Sequence, residues 1–444
     1  MSDTQLLEDV VSAALKAGAE AAEAVVAERR SLSVTVRLGD LEEVEREESR
    51  DLGLRVFIGK QQATVSASDI SPATRARLVE RAVAMARLAP EDRYTGLAPE
   101  ELLAKGPFPD LQLYDPAERG PEALEAAALA AEDAARAIPG VTNSEGGSAS
   151  WSTGRWSFLT SHGFNGAHQG SVFSLSAGVI ASDDGGMERG GEGRTTRWLA
   201  DLPASDSIGR SAGERAVKRL GARKLESRTA PVIFENRIAA SMVSAFVGAI
   251  SGPSVARGVS FLKDKLGQQI FPKGFEVVDD PFRLRGLGSA PFDDEGVTVQ
   301  RRLLVDDGVA TTWLLNCSAA RQLGLTSTGH ATRGLAGPPG VAPHNLHVTP
   351  GERDQAALMR DAGAGLLITS MFSPSLNSNT GDWSAGVSGF WFEGGELAYP
   401  VSEITVAGNL IDIFGRLVPG SDLEFRGSSN APSLMVDALA IAGR

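Results

Sequence analysis

Apolar runs that alternate with polar residues and end in tight turns constrain this chain more than any other feature. Leu32, Val34, Val36 and Leu38 fall at every second position, so an extended segment there has one apolar and one polar face. Residues 52–58 and 61–66 flank Gly59-Lys60 as a hairpin would, and further strands are expected at residues 22–27 and 43–48. Helical stripes bracket them. Leu6, Leu7, Val10, Val11, Ala14 and Leu15 form the first, with Gly18 placed as its C-terminal glycine. Val79, Val83 and Ala86 follow Ser71-Pro72, where proline suits a first turn. The expectation for residues 1–105 is a small antiparallel sheet covered by two helices.

The next segment, residues 106–228, changes character and should pack with the first. Residues 90–119 are rich in Pro, Gly and Asp and read as a linker wrapping a neighbour. An alanine-rich helix is expected over residues 121–138, stopped by Pro139-Gly140. Residues 146–197 are rich in Ser, Gly and Thr with Trp151, Trp156, Phe158, Phe164 and Phe173 spaced through them, which predicts long hairpins with a tip at residues 183–186. A helix over 207–220 closes this part. Residues 229–444 read as a strand-rich domain, with hairpins at 297–305/309–315 and 384–392/396–401, a helix at 353–362, and strands at 231–234, 365–370 and 432–441. Two long loops, 326–344 and 372–382, lie between them. The fold class is α+β, with an N-terminal antiparallel sheet and a strand-rich C-terminal domain of mixed and antiparallel sheets.

Composition narrows the function classes. A chain of 444 residues can hold two or three domains, and 50 glycines and 22 prolines fit many turns. The net charge of −13 argues against nucleic acid as a partner, which needs a basic footprint. The acidic, then amphipathic start does not read as a signal peptide, and no apolar run approaches the ~20 residues of a membrane span. One cysteine, Cys317, allows neither an internal disulfide nor a thiolate zinc cluster, so a cytoplasmic setting is expected.

Five histidines could carry chemistry: His162, His168, His330, His344 and His347. None precedes a glutamate. His344 and His347 are three apart in an extended segment, so they should face opposite sides and chelate one ion poorly. His162 and His168 fall in a glycine-rich loop. His330 and Arg333 lie in loop 326–344, long enough to line a binding site, where the guanidinium could take a peptide carboxylate. Asn377, Asn379 and Asp382 in loop 372–382 could hydrogen-bond a peptide backbone or simply make turns. These five residues are the candidate substrate contacts. Ser260-Phe-Leu-Lys263 fits S-x-x-K only by chance, and Cys317, at the start of a helix, is expected to be a buried structural thiol.

Residues 316–324 (Asn-Cys-Ser-Ala-Ala-Arg-Gln-Leu-Gly), 327–333 (Ser-Thr-Gly-His-Ala-Thr-Arg), Asn345-Leu346-His347-Val348, 384–388 and Tyr399-Pro400-Val401 together resemble the TldD/PmbA family of bacterial peptidase subunits. In the TldD branch a helix carries H-E-x-x-x-H, two zinc-binding histidines and a catalytic glutamate. The helix expected here over residues 235–250, with Ile238, Met242, Ala245 and Ala249 on one stripe, offers Ser244, Ala245 and Ala249 at those positions. The resemblance therefore points to the PmbA/TldE branch, and implies no catalytic residue, metal or cofactor in this chain. It implies zinc in a TldD-like partner, a heterodimer with that partner or a homodimer in isolation, and proteolysis of small unfolded peptides. The family has also been described as modulating DNA gyrase; the acidic balance gives no support for direct DNA contact. A homodimeric peptide-binding scaffold, and a hydrolase using His330 with a serine from residues 370–378, are the rival readings. Small residues at 244, 245, 248 and 249 would let the helix pack closely.

Overall fold

A computed structural model describes residues 2–443. The N-terminal 200 residues build six strands: β1 (Ala21–Arg37), β2 (Asp40–Ile58), β3 (Gln61–Ala67), β4 (Val141–Thr160), β5 (Asn165–Asp183) and β6 (Gly186–Thr196). They form one antiparallel sheet in the order β3-β2-β1-β4-β5-β6. The segments expected at 22–27 and 32–38 are one strand, as are those at 43–48 and 52–58. The physical reason is tertiary. β1 is paired with β2 along one edge and β4 along the other for most of its length, so its polar middle has no free backbone groups to bend toward water.

Four helices cover one face of this sheet: α1 (Asp3–Lys16), α2 (Pro72–Leu88), α3 (Pro121–Arg136) and α4 (Ser205–Lys218). The period-2 pattern decides which face. Ala22, Ala24 and Val26 join Leu7, Val10, Val79 and Val83 in one core, while Val34, Val36, Trp151, Phe173 and Leu175 pack under Ala128, Ala131, Ile208 and Ala212 in another. Each large buried side chain contributes roughly 1.5–3 kcal/mol. Two glycines set how close α4 comes. A Cβ at Gly190 would stand 2.3 Å from the Ala216 amide nitrogen, and one at Gly209 would stand 1.9 Å from the Ala131 carbonyl. On the opposite face, Val25 and Phe158 pack with Phe164 and Phe292 at one end, and the stretch toward β6 is small and polar. Thr35, Ser148, Ser176 and Gly193 are aligned across four strands, with Ser33, Ser150, Ser174 and Thr195 in the next row.

The C-terminal part begins with β7 (Arg228–Phe234), α5 (Asn236–Ala249), α6 (Gly252–Ala256), β8 (Val277–Asp279), β9 (Arg302–Asp306) and β10 (Val309–Ala310). It continues with α7 (Cys317–Leu323), β11 (Ala331–Thr332), β12 (Gly340–Val341), β13 (Leu346–Val348), α8 (Gln355–Ala362) and β14 (Ala364–Leu376). β15 (Asp382–Glu393), β16 (Glu396–Asn409), α9 (Leu410–Phe414), β17 (Val418–Pro419), β18 (Ser429–Asn430) and β19 (Leu434–Ala442) complete it. A mixed sheet runs β16-β15-β14-β7-β19-β17, and a smaller one β10-β9-β8-β13-β18. Phe234, Met242, Phe246, Phe271, Phe414 and Leu434 are among the residues of the core between them.

Two expectations are corrected here. The hairpin at 297–315 is reduced to β9 and β10, because residues 297–299 instead meet the linker: Leu103 bridges Val297 and the Thr298 amide donates to Leu102 O. Most of loop 372–382 is strand, since β14 continues to Leu376 by pairing Ser375 with Ser384 and Leu376 with Trp383. The linker wraps the C-terminal part as expected, and the Arg321 guanidinium on α7 donates to the carbonyls of Tyr94, Gly96 and Leu97. No helix among the described residues is long and apolar enough to cross a membrane.

Candidate functional site

α5 starts where β7 ends, between the two halves of the molecule. Glu235 donates its amide to Ile368 O, which fixes the exit from the sheet. Ala239, Met242, Val243, Phe246 and Ala249 are buried, while Ile238 and Ala245 pack at the margin. Ser244 lies on the exposed side, with its hydroxyl donating to Ala240 O at 2.9 Å. Gly248 is exposed and a Cβ there would meet nothing within 4 Å. The close packing expected of these small residues is therefore absent at Ser244 and Gly248. Zinc does not fit this helix. Ser244, Ala245 and Ala249 present no imidazole, thiolate or carboxylate, and the one hydroxyl is tied to the helix backbone.

The histidines assemble elsewhere. β8 ends at Asp279, fully buried, and its carboxylate receives three donors. His330 Nε2 lies 3.0 Å from Oδ2, His344 Nδ1 2.9 Å from the same oxygen, and the His344 amide 2.7 Å from Oδ1. Burial alone would raise the Asp279 carboxyl; the two imidazole N–H groups hold it well below the usual range instead. Burial pushes His330 down, so the neutral ring donates through Nε2 and accepts the Thr328 hydroxyl at Nδ1, 2.8 Å away. The short strands β11 and β12 fold loop 326–344 back on itself and bring the two rings to 5.1 Å. No sequence signal announced this cluster: its members are 51 and 65 residues apart and join only because β8 pairs with β13.

Thr328, His330 and Asp279 make a hydroxyl–imidazole–carboxylate chain, yet all three are buried. Both His330 nitrogens are engaged, and none is left to take a proton from a serine at 370–378. The rival hydrolase loses its base. Asp279, His330 and His344 also have the donor chemistry of a zinc site, with ligand atoms within 4.8 Å of one another. But Asp279 is already the shared acceptor of both rings and of a backbone amide, so the cluster is complete as a hydrogen-bonded clasp. His347, on the other side of the chain, packs its ring edge-to-face with Phe425, the centroids 5.3 Å apart. His344 and His347 thus diverge, as strand geometry demands.

Arg333 is committed through its other nitrogens, while its buried Nη2 has no hydrogen-bond partner. Its side chain is buried and pairs with Glu23 on β1, which also holds Arg55 at 3.1 Å. The Arg333 amide donates to Asp294 Oδ2 at 2.8 Å. Glu23 sandwiched between two guanidiniums joins the N-terminal sheet to the C-terminal part. Beside it, Asp293 and Glu295 are buried with raised pKa values, burial being the main cause for both. Cys317 donates its amide to Glu295 Oε2 at 2.7 Å. Its thiol is pushed far up by burial and by that carboxylate, so it is inert. Any lowering by the α7 N-terminus is overwhelmed.

Asn377, Asn379 and Asp382 stay exposed at the β14–β15 tip. Asn377 Oδ1 accepts the Asn379 amide at 3.0 Å, and Asp382 accepts from Thr380 and Asn409 at 2.7 and 3.1 Å. Their carbonyl and carboxylate oxygens shape the turn. His162 is exposed in the β4–β5 turn, and His168 sits in β5, opposite Trp156 and 5.7 Å from Phe292. Ser260 is buried with its hydroxyl on Ala249 O, whereas Lys263 is exposed and pairs with Asp264, so S-x-x-K is not a site.

Family models cover the chain in three pieces. They are PmbA/TldA metallopeptidase domain 1 over residues 22–86, the central domain over 114–220 and the C-terminal domain over 227–443. The chain belongs to the PmbA/TldD family. It is 39% identical to metalloprotease PmbA of Escherichia coli over 99% of this chain and 97% of that one, and 38% identical to a PmbA homolog of Haemophilus influenzae over 99% and 96%. Among solved structures, a protein of Bacteroides thetaiotaomicron described as a modulator of DNA gyrase superposes with TM-score 0.92 at 26% identity over the whole of both chains. TldE of Thermococcus kodakarensis shares the fold, with TM-score 0.87 at 20% identity over 99% of this chain and all of that one.

Proposed function

We propose that this chain is the metal-free, PmbA/TldE-type subunit of a cytoplasmic peptidase whose zinc and catalytic carboxylate belong to a TldD-like partner. The observation that carries the reading is α5. It stands in the family's architecture, at a cleft, with an open face at Ser244 and Gly248, and it supplies no metal ligand and no general base. Zinc hydrolysis needs protein ligands, a bound water and a base, and these would have to come from across an interface. Among the five candidate contacts, Asn377, Asn379 and Asp382 remain open to a peptide, while His330 and Arg333 hold the structure together. The chain's work would be to close a chamber around unfolded peptides.

The test is reconstitution. The chain alone should hold far less than one zinc per molecule and leave an unstructured peptide intact; adding an H-E-x-x-x-H homologue from the same genome should give cleavage that a chelator stops. Chelator-sensitive cleavage by the isolated chain would overturn the proposal. So would stoichiometric zinc that disappears in His344→Ala, which would move the metal to the Asp279 cluster. A partner that neither binds nor gains activity would favour the homodimeric peptide-binding scaffold.

A further inference from the structure

A cleft of about 580 Å³ lies between α4, β6 and the start of α5 on one side and β14–β16 on the other. One wall is basic: Arg215, Lys218 and Arg219 project from α4 and Arg237 from α5. The facing wall is apolar, formed by Met371, Phe372, Phe390 and Leu397 with Ile238 at its end. Phe372 and Leu397 are 54% and 49% exposed, unusual for large apolar groups beside four cations.

The basic wall is crowded rather than neutralised. Glu214 and Glu235 are the acidic residues lining the cleft. Arg237 is held by Glu235 at 2.9 Å, and Arg215 by Glu192 behind it. Arg219 has no carboxylate partner: it donates to Arg189 O and to the hydroxyls of Thr369 and Ser370. Lys218 makes no ion pair with any described residue. Burial is the main cause that pushes Arg215 and Arg219 below the usual guanidinium range; Arg237 adds to it, while Glu192 and Glu235 oppose it at Arg215 and Glu188 and Glu235 at Arg219. The cleft continues past Arg237 into a second hollow, where Arg426 and Arg237 stand over the Ser148–Ser176–Gly193 floor of the large sheet.

We infer that this cleft takes the C-terminal carboxylate of a peptide whose last side chain is apolar. The carboxylate would sit against the Lys218 ammonium, with Arg237 and Arg219, held in place by their own acceptors, adding positive charge beside it. The terminal side chain would cover Phe372 and Leu397. Anionic and apolar requirements in one cleft are met by a single residue at a chain terminus, where the carboxylate and the side chain share a Cα. The preceding residues would run toward the serine- and glycine-lined floor. The identification of the ligand as a peptide rests on the proposed function; the anion and apolar subsites do not.

Binding to the intact chain tests this without a partner or any cleavage. Fluorescence anisotropy should show a labelled pentapeptide ending in free Leu binding at least about tenfold tighter than its C-terminal amide, the loss expected for one charge-assisted pair. Replacing the last Leu by Ser should cost about as much. Lys218→Ala with Arg237→Ala should erase the preference for acid over amide, and Leu397→Ser should erase that for Leu over Ser, each at unchanged melting temperature. Equal binding of acid and amide, or full binding by the double variant, overturns the inference. Inorganic phosphate displacing the peptide at concentrations that leave the Leu/Ser preference absent would reduce the cleft to an anion site and overturn it too. Because the readout is binding, a negative result leaves the metal-free subunit proposal standing, and failed reconstitution leaves this one standing.

Discussion

Two polar clusters in this molecule differ in one respect, whether their charges are answered. Around Asp279, the carboxylate has three donors, His330 has both nitrogens engaged, and all of it is sealed from water. In the cleft, Arg215 and Arg237 each hold one carboxylate, Arg219 has only neutral acceptors, Lys218 makes no ion pair with any described residue, and apolar side chains lie open beside them. A buried polar group without a partner costs free energy, so proteins complete such clusters when their task is structural. An incomplete cluster persists at a surface open to something that completes it. By that criterion the histidines, the residues richest in chemical possibility, are architecture. The arginines, chemically plain, are the better place to look for a ligand.

The comparison breaks most sharply at Asp279. Asp279→Ala leaves two imidazole N–H groups and one amide without an acceptor, and should destabilise the fold by about 3–5 kcal/mol, as removal of one buried partner does. Urea unfolding measures it, and a loss under ~1 kcal/mol would deny the cluster its structural role. Glu23→Gln should follow at about 2–4 kcal/mol, because two guanidiniums, Arg55 and Arg333, would face each other in the dry junction.

Acid should loosen two separate histidine sites, His168 on β5 and the Asp279 cluster. Burial pushes His168 down to about 4 from 6.5, with Arg197 adding repulsion, and also lowers His330. A group with a depressed folded pKa that is neutral in the fold binds its proton first in the unfolded chain. Stability is therefore full above pH 6.5 and falls as the pH drops toward 4, by roughly 3 kcal/mol for His168 at ~1.4 kcal/mol per unit. Asp279 adds its loss only at lower pH, below the ordinary carboxylate range. Unfolding free energies of His168→Gln should be flatter between pH 6.5 and 4; an unchanged slope would put the ring in water. The smallest effect belongs to the cleft. Lys218→Ala with Arg237→Ala should shift stability by no more than about 1 kcal/mol, since Lys218 is exposed and the Arg237–Glu235 pair lies near the surface. A large loss there would make the arginines structural after all and erase the contrast.

Much of the architecture was legible from the chain. Leu32, Val34 and Val36 fixed the face on which α3 sits, and Ser33 and Thr35 between them fixed the other. Gly18, Ser71-Pro72 and Pro139-Gly140 marked helix ends close to where they fall. Loop 326–344 was recognisable as more than a connector, but its purpose was not. His330 and Arg333 read as open because nothing local said that Asp279, 51 residues before His330, and Glu23, 310 residues before Arg333, would bury against them. Likewise Phe372 read as loop because β14's continuation depends on β15 rather than on its own Ser-Pro-Ser sequence.

Local pattern alone determined the α+β class, the faces of the long strands and the lack of metal ligands on α5. Those properties follow from residue identity and from periods of two and 3.6, which each segment carries by itself. The tertiary structure decided which polar residues are finished and which are waiting. Satisfaction of a charge depends on neighbours from other strands and helices, and no stretch of sequence contains its own neighbours.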